Sequence, residues 1–356
     1  MVTTKDKPEY TAFQADFKPL PKHGHLSELD PAFAEIKSAV DANIEQLWEP
    51  SLSFEDFCAM WAMPAPPVPG FPVEGEDVLT ETRKIPMRDG AEIEVKIYSA
   101  KDKKPGSALM MRYHGGGWVV GGHNTEHNES LLIAGRTNTV LVSVDYRMAP
   151  KFRFPYAVND SFDALKWAKA NAESLGADPN KILLNGGSAG GNLGGREEMN
   201  TDVKTYQASV VAIMARDEGV TGIVGQILSF PVTVHPKFAP ADKYEFGSWQ
   251  QNSDASVVNA VRLEWFLDMY MPEPTDDWRF SSLLAPSLKD LPPALAGYDP
   301  LRDEALAYAE RLEKEGGNVE LHKYQGLPHC FYMLPDHPKT KDYYEKIVNF
   351  TKKFSG

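Results

Sequence analysis

Residues 182–192 read ILLNGGSAGGN and set Ser188 between Gly186 and Gly190, directly after the apolar run Ile182, Leu183 and Leu184. A serine hydroxyl is a weak nucleophile until a base takes its proton. A strand that ends in a G-x-S-x-G turn lifts that hydroxyl above a sheet edge, because small neighbours allow a turn that a Cβ would block. It also aims the oxygen at a helix start, where the dipole favours negative charge. This is chemistry for attack on a carbonyl carbon. A glycine-rich strand-to-helix turn without any duty has the same letters, so the remaining parts of the mechanism must be found elsewhere.

Attack on a carbonyl builds negative charge on its oxygen, and backbone N–H groups pointing into a cavity can hold that charge. Residues 112–118 read RYHGGGW after a second apolar run. Gly115, Gly116 and Gly117 can bring their backbone close to a ligand. Ala189, next to the serine, supplies the complementary donor of this design. No Lys-Ser/Thr follows the glycines, which disfavours a phosphate cradle.

Nine histidines could serve as the base. His329, in QGLPHCF, follows the strand-like NVELHKY and falls in a loop, where a base belongs. His322 lies inside that strand and reads as structural. His23, His25, His235 and His337 lie among polar residues and prolines and read as surface groups. His114 opens the glycine loop and is expected to orient it. His123 and His127 are four residues apart, but no third ligand accompanies them, so no metal site is expected. Asp299, between a short apolar run and a helix, can fix the tautomer of His329. Asp303 and Glu304 are its rivals and read as first-turn residues favoured by a helix dipole. The chain order serine, aspartate, histidine goes with a strand–turn–helix nucleophile and differs from the other common orders.

The elements that must bring these groups together follow from periodicity. Ile93, Val95 and Ile97 alternate with charged residues as a half-exposed strand does. Leu109–Met111, Val140–Val144, Ile182–Leu184, 222–232 and 318–324 read as further strands, and Phe162–Leu175 has helical spacing. Strands alternating with helices predict an α/β fold with a mostly parallel, doubly wound sheet covered on both faces. Residues 1–50 read as helical and separate. Within them Asp30-Pro31 starts a helix, with Phe33, Ile36, Val40, Ile44 and Leu47 as its apolar stripe. The prolines of 62–76 form an extended connector. The organisation expected is an N-terminal cap segment and linker over 1–76 and a catalytic domain over 77–356. Residues 253–271 read as helical, interrupt the alternation and are expected to pair with the N-terminal helices as a cap.

Of the 356 residues, 42% are hydrophobic and 24% charged, as in an ordinary globular chain. The formal charge of −13 repels phosphate backbones, so no nucleic-acid partner is expected. The first residues lack the apolar core of a secretory leader, and no run approaches the roughly 18 apolar residues that span a bilayer. A soluble cytoplasmic protein without stable membrane insertion is expected. Cys58 and Cys330 allow at most one disulfide.

Taken together, HGGGW at 114–118, VDYRMAPKFRFPYAVND at 144–160, GGSAGGNL at 186–193, YDPLRDEALAYAERL at 298–312 and GLPHCF at 326–331 resemble the hormone-sensitive-lipase-like (family IV) esterases of the α/β-hydrolase superfamily. The resemblance spans about residues 78–350. It implies an α/β-hydrolase fold with a helical cap that includes an insertion at about 235–272, and a serine carboxylesterase acting on small-molecule esters of short to medium chain. It also implies no cofactor and no metal, and homodimers occur in that branch. It carries the nucleophile to Ser188, the acid to Asp299, the base to His329 and the oxyanion donors to Gly115, Gly116, Gly117 and Ala189. Three departures stand out: Cys330 replaces the usual glycine after the histidine, 194–209 looks inserted, and 291–299 looks short. The insertion reads as a surface loop or a translated intron, which transcript sequencing separates. Three rivals to the esterase remain at this level: a non-catalytic small-molecule receptor, an amidase or arylformamidase, and an acyltransferase.

Overall fold

The computed structural model describes residues 2–192, 209–291, 294–296 and 301–355. Asp299 and residues 194–208 of the apparent insertion lie outside the described residues, as do most of 291–299. Eight strands among the described residues form one sheet: β1 (Val78–Pro86), β2 (Glu92–Ala100), β3 (Ser107–Tyr113), β4 (Thr139–Asp145), β5 (Ala177–Gly187), β6 (Ile223–Ser229), β7 (Ala294–Ala296) and β8 (Val319–Leu321). Their spatial order is β1-β2-β4-β3-β5-β6-β7-β8. β2 is antiparallel to both β1 and β4, and every other pair is parallel.

Helices fill the connections: α1 (Pro31–Leu47), α2 (Phe54–Trp61), α3 (His127–Arg136), α4 (Tyr156–Leu175), α5 (Ala189–Asn192), α6 (Ser209–Asp217), α7 (Ser248–Gln251), α8 (Ala260–Tyr270), α9 (Arg302–Lys314) and α10 (Pro338–Ser355). A parallel strand covered on both faces favours a near-continuous apolar run, and all seven residues of β3 are buried. Its alternate residues serve opposite cores. Leu109 and Met111 belong to one apolar cluster with Phe162 of α4 and Ile213 of α6, whereas Met110 belongs to another with Leu132 of α3 and Ile347 of α10. β2, near the edge, keeps the alternation of a half-exposed strand.

Several expectations change. Residues 2–23 contain no helix and are not separate. Their backbone is fastened to distant carboxylates: Glu9 and Tyr10 donate to Glu264, and Lys22 and His23 donate to Glu245. Helix α1 starts as expected, with the Asp30 carboxylate capping Ala32 and Phe33. Its stripe is only partly used, since Phe33 and Ile44 are buried but Ile36 is exposed. The helix expected over 253–271 is confined to Ala260–Tyr270, with Asn259 as its side-chain cap. Strand β8 stops at Leu321, so His322 lies just past it and pairs with Glu320 (3.1 Å).

The N-terminal helices and α8 pack together. Trp48 meets Trp265 edge-on at 5.4 Å, and Arg262 pairs with Glu45 while its guanidinium lies over Trp48. Among the described residues, no helix is long and apolar enough to cross a membrane.

Candidate active site

Strand β5 runs into Ser188 with φ at +54°, the left-handed region that side chains avoid. Holding a non-glycine residue there costs about 1–2 kcal/mol, so the surroundings must impose it. They do so by close approach. A Cβ on Gly186 would sit 2.2 Å from the Gly190 oxygen, and one on Gly190 would sit 2.0 Å from the Tyr113 oxygen. Only glycine fits at either place. The Ser188 N–H donates to the Ser229 oxygen (2.9 Å), which ties the turn to the end of β6. Ser188 is buried apart from a small exposed part, and Ala189 opens α5.

The glycine loop leaves β3 beside this turn. The His114 Nδ1 lies 2.7 Å from the Gly115 oxygen. A carbonyl only accepts, so Nδ1 carries the proton. The ring stacks on Tyr146 at 4.1 Å, and burial pushes its pKa down to about 4, which keeps it neutral. His114 therefore orients the loop, as expected. The Gly115 N–H, one of the expected oxyanion donors, donates to the Glu126 carboxylate (3.0 Å). The N–H groups of Gly116, Gly117 and Ala189 meet no acceptor among the described residues.

His329 lies in the loop after β8, 3% exposed, with its ring edge-on to Phe230 at 4.8 Å. The loop that carries it is pinned from the N-terminal segment. Gly326 donates to the Leu26 oxygen and accepts from the Asp30 N–H. The Asp30 carboxylate pairs with His337 and Lys339, and its pKa is held down to about 2: burial opposes the shift, and the bonds to Lys339, Phe33 and His337 outweigh it.

Ser188, His329 and the loop Gly115–Trp118 line one cavity of about 400 Å³, a size suited to a small-molecule ligand. Its walls come from Met60 and Trp61 of α2, the prolines Pro66 and Pro67, and Leu263, Phe266 and Leu267 of α8. Backbone strain gathers around it. Five described non-glycine residues have positive φ, and four of them, Trp118, Ser188, Phe230 and Cys330, line the cavity or touch His329. Strain of this kind is a mark of functional sites.

The model of the alpha/beta hydrolase fold matches residues 110–333, a span that contains the glycine loop, the serine turn and the histidine loop. The chain belongs to the α/β-hydrolase family. Among curated relatives, it is 34% identical to carboxylesterase NlhH of Mycobacterium tuberculosis over 70% of this chain and 75% of that one. It is also 34% identical to an arylesterase of Saccharolobus solfataricus, over 73% and 80%. Among solved structures it superposes on the hyperthermophilic esterase of Pyrobaculum calidifontis with a TM-score of 0.73 at 30% identity, covering 91% and 98%.

In this α/β-hydrolase the rivals of Asp299 are committed elsewhere. Both lie in the first turn of α9. The Asp303 carboxylate accepts the N–H groups of Gly247 and Ser248 and pairs with Arg302. Glu304 accepts from the Thr233 N–H and the Trp249 indole. Sequence reasoning missed that these carboxylates clamp the 247–249 segment to the sheet domain. Asp299 itself lies outside the described residues.

Two histidines expected at the surface of this α/β-hydrolase are buried: His235 packs between Tyr10 and Phe280, and His337 pairs with Asp30. His123 and His127 have separate partners, Ser143 for the first and Tyr98 with Glu74 for the second. Cys58 and Cys330 are free thiols. Cys330 has φ +56° and ψ +33°, which explains why glycine suits that position. Another residue missed from sequence is Glu126. The available signal was Arg112, a cation inside the apolar run LMMRYH that needs a buried counter-charge.

Proposed function

We propose that this carboxylic ester hydrolase works through a triad of Ser188, His329 and Asp299 on short- to medium-chain esters, and that it falls in the hormone-sensitive-lipase-like branch. The observation that carries the reading is Ser188, strained at the mouth of β5, sharing one apolar cavity with His329 and the glycine loop. In the first half-reaction His329 takes the Ser188 proton as Oγ attacks the ester carbonyl. The oxyanion lies against the N–H groups of Gly116, Gly117 and Ala189. The intermediate then collapses, and His329 returns the proton to the departing alcohol. Water, deprotonated by the same imidazole, attacks the acyl-enzyme and releases the acid. Asp299 accepts the other ring N–H of His329 and stabilises the imidazolium.

Segments 1–76 and 235–272 act as the cap, whose apolar wall favours aliphatic or aromatic acyl groups. No step needs a cofactor or metal, and the enzyme is expected in the cytoplasm, where a homodimer is open to it. His329, lining the same cavity as Ser188, favours turnover over a receptor role.

The test is a p-nitrophenyl ester series from acetate to dodecanoate with the purified chain. The expected result is a maximum of kcat/KM at short to medium chains, with Ser188→Ala reducing kcat by about 10⁴-fold or more. Equal rates for the two proteins contradict the reading. Matched ester and formamide substrates separate an esterase from an amidase.

A further inference from the structure

Glu126 is the N-cap residue of α3, yet its side chain caps nothing there. Glutamate is not among the residues preferred at that position, so the carboxylate has another occupation. It is buried, and so are its neighbours Arg112 and Glu129. One guanidinium thus faces two carboxylates. Glu129 pairs with Arg112 and also accepts from Asn185 (3.2 Å) and Tyr343 (3.1 Å). Glu126 forms a longer ion pair with the same guanidinium at 3.6 Å, and burial raises its pKa despite that cation. A buried carboxylate is costly to keep.

Its Oε1 bonds the glycine loop and lies close to two other parts of the site. It accepts the Gly115 N–H (3.0 Å) and stands 3.5 Å from the Tyr332 hydroxyl, three residues past His329. It also lies 3.6 Å from where a Cβ on Gly187, the last residue of β5, would sit. With the Gly115 oxygen bonded to His114, both polar groups of Gly115 are held.

We propose that Glu126 is a positioning residue: its carboxylate holds the glycine loop in register with the serine turn and the histidine loop, so that Gly116 and Gly117 present their N–H groups to the developing oxyanion. This rests on the oxyanion role proposed above for that loop. The requirement is for an acceptor at Oε1, not for a charge. Arg112 keeps Glu129 as a partner when Glu126 is replaced.

The test compares Glu126→Ala and Glu126→Gln with wild type on p-nitrophenyl butyrate, with inhibition by a trifluoromethyl ketone that mimics the oxyanion. A misplacement of about 1 Å costs about 10²-fold in rate. Glu126→Ala should therefore lower kcat by about that factor with little change in KM, and weaken the ketone in parallel. Glu126→Gln, whose amide oxygen still accepts the Gly115 N–H, should restore most of kcat. An unchanged kcat in Glu126→Ala, or equal losses in both folded variants, overturns the proposal. Thermal melts identify an alanine variant that has unfolded, and the glutamine variant then decides alone: restored kcat supports the proposal and lost kcat overturns it. Ser188→Ala separates the two readings. Hydrolysis that survives it removes the esterase mechanism, whereas a silent Glu126 with an essential Ser188 removes only the positioning role.

Discussion

Glu264 of α8 accepts the backbone N–H of Tyr10 at 2.7 Å, and that of Glu9 at the same distance. A carboxylate with no side-chain exposure thus fastens a segment without regular structure to the helix that walls the cavity. Tyr10 adds a hydroxyl bond to Asp268. Glu264→Ala leaves two N–H groups without an acceptor, which should cost about 2 kcal/mol or more. Urea unfolding should show that loss, with Glu264→Gln recovering part of it. An alanine variant as stable as wild type contradicts the fastening role.

Phe266 of the same helix presses on the glycine loop, for a Cβ on Gly117 would meet its ring Cγ at 2.3 Å. The ring is buried and forms part of the cavity wall. Phe266→Ala should lower stability by about 3 kcal/mol and move the chain-length optimum toward longer acyl groups. An unchanged optimum in the p-nitrophenyl series argues that the ring does not limit the acyl pocket.

Cys330 holds a left-handed backbone next to His329. Glycine has no Cβ to strain there, while the unfolded chain gains freedom, so the net gain from Cys330→Gly is about 1 kcal/mol at most. The variant should melt at or slightly above the wild-type temperature and keep its esterase activity. A clear fall in melting temperature shows that thiol packing outweighs backbone strain.

His235 is fully buried, and its Nδ1 accepts the Lys237 N–H. Burial, with Lys237 adding to it, pushes its pKa down from 6.5 to about 4. Between these values the unfolded state binds a proton that the folded state refuses, so this histidine subtracts stability as pH falls from 6.5 toward 4. Asparagine keeps an acceptor for the Lys237 N–H but cannot titrate there. Relative to wild type, His235→Asn should therefore gain stability across that window and show a constant difference above neutrality. Urea midpoints at each pH measure it, and a constant difference throughout contradicts the assignment.

The central strands were legible because β3, β4 and β5 are covered on both faces, so Leu109–Met111, Val140–Val144 and Ile182–Leu184 stand out without any partner being known. The serine turn was legible for a steric reason, since Gly186 and Gly190 have no room for a Cβ. What stayed hidden depends on partners remote in the chain. His235 is buried by Tyr10 and Phe280, and His337 by Asp30. Residues 2–23 have no period to read, because their order comes from Glu245 and Glu264. Glu126 and Glu129 look like surface charges of a helix start until Arg112 is seen between them.

The most direct measurement is the site of covalent capture by a fluorophosphonate, mapped by peptide mass spectrometry on the intact chain. The expected result is one phosphonyl group on the peptide that contains Ser188, and none on Ser188→Ala. Failure of the wild-type chain to label, or labelling that persists at another residue when Ser188 is alanine, contradicts it.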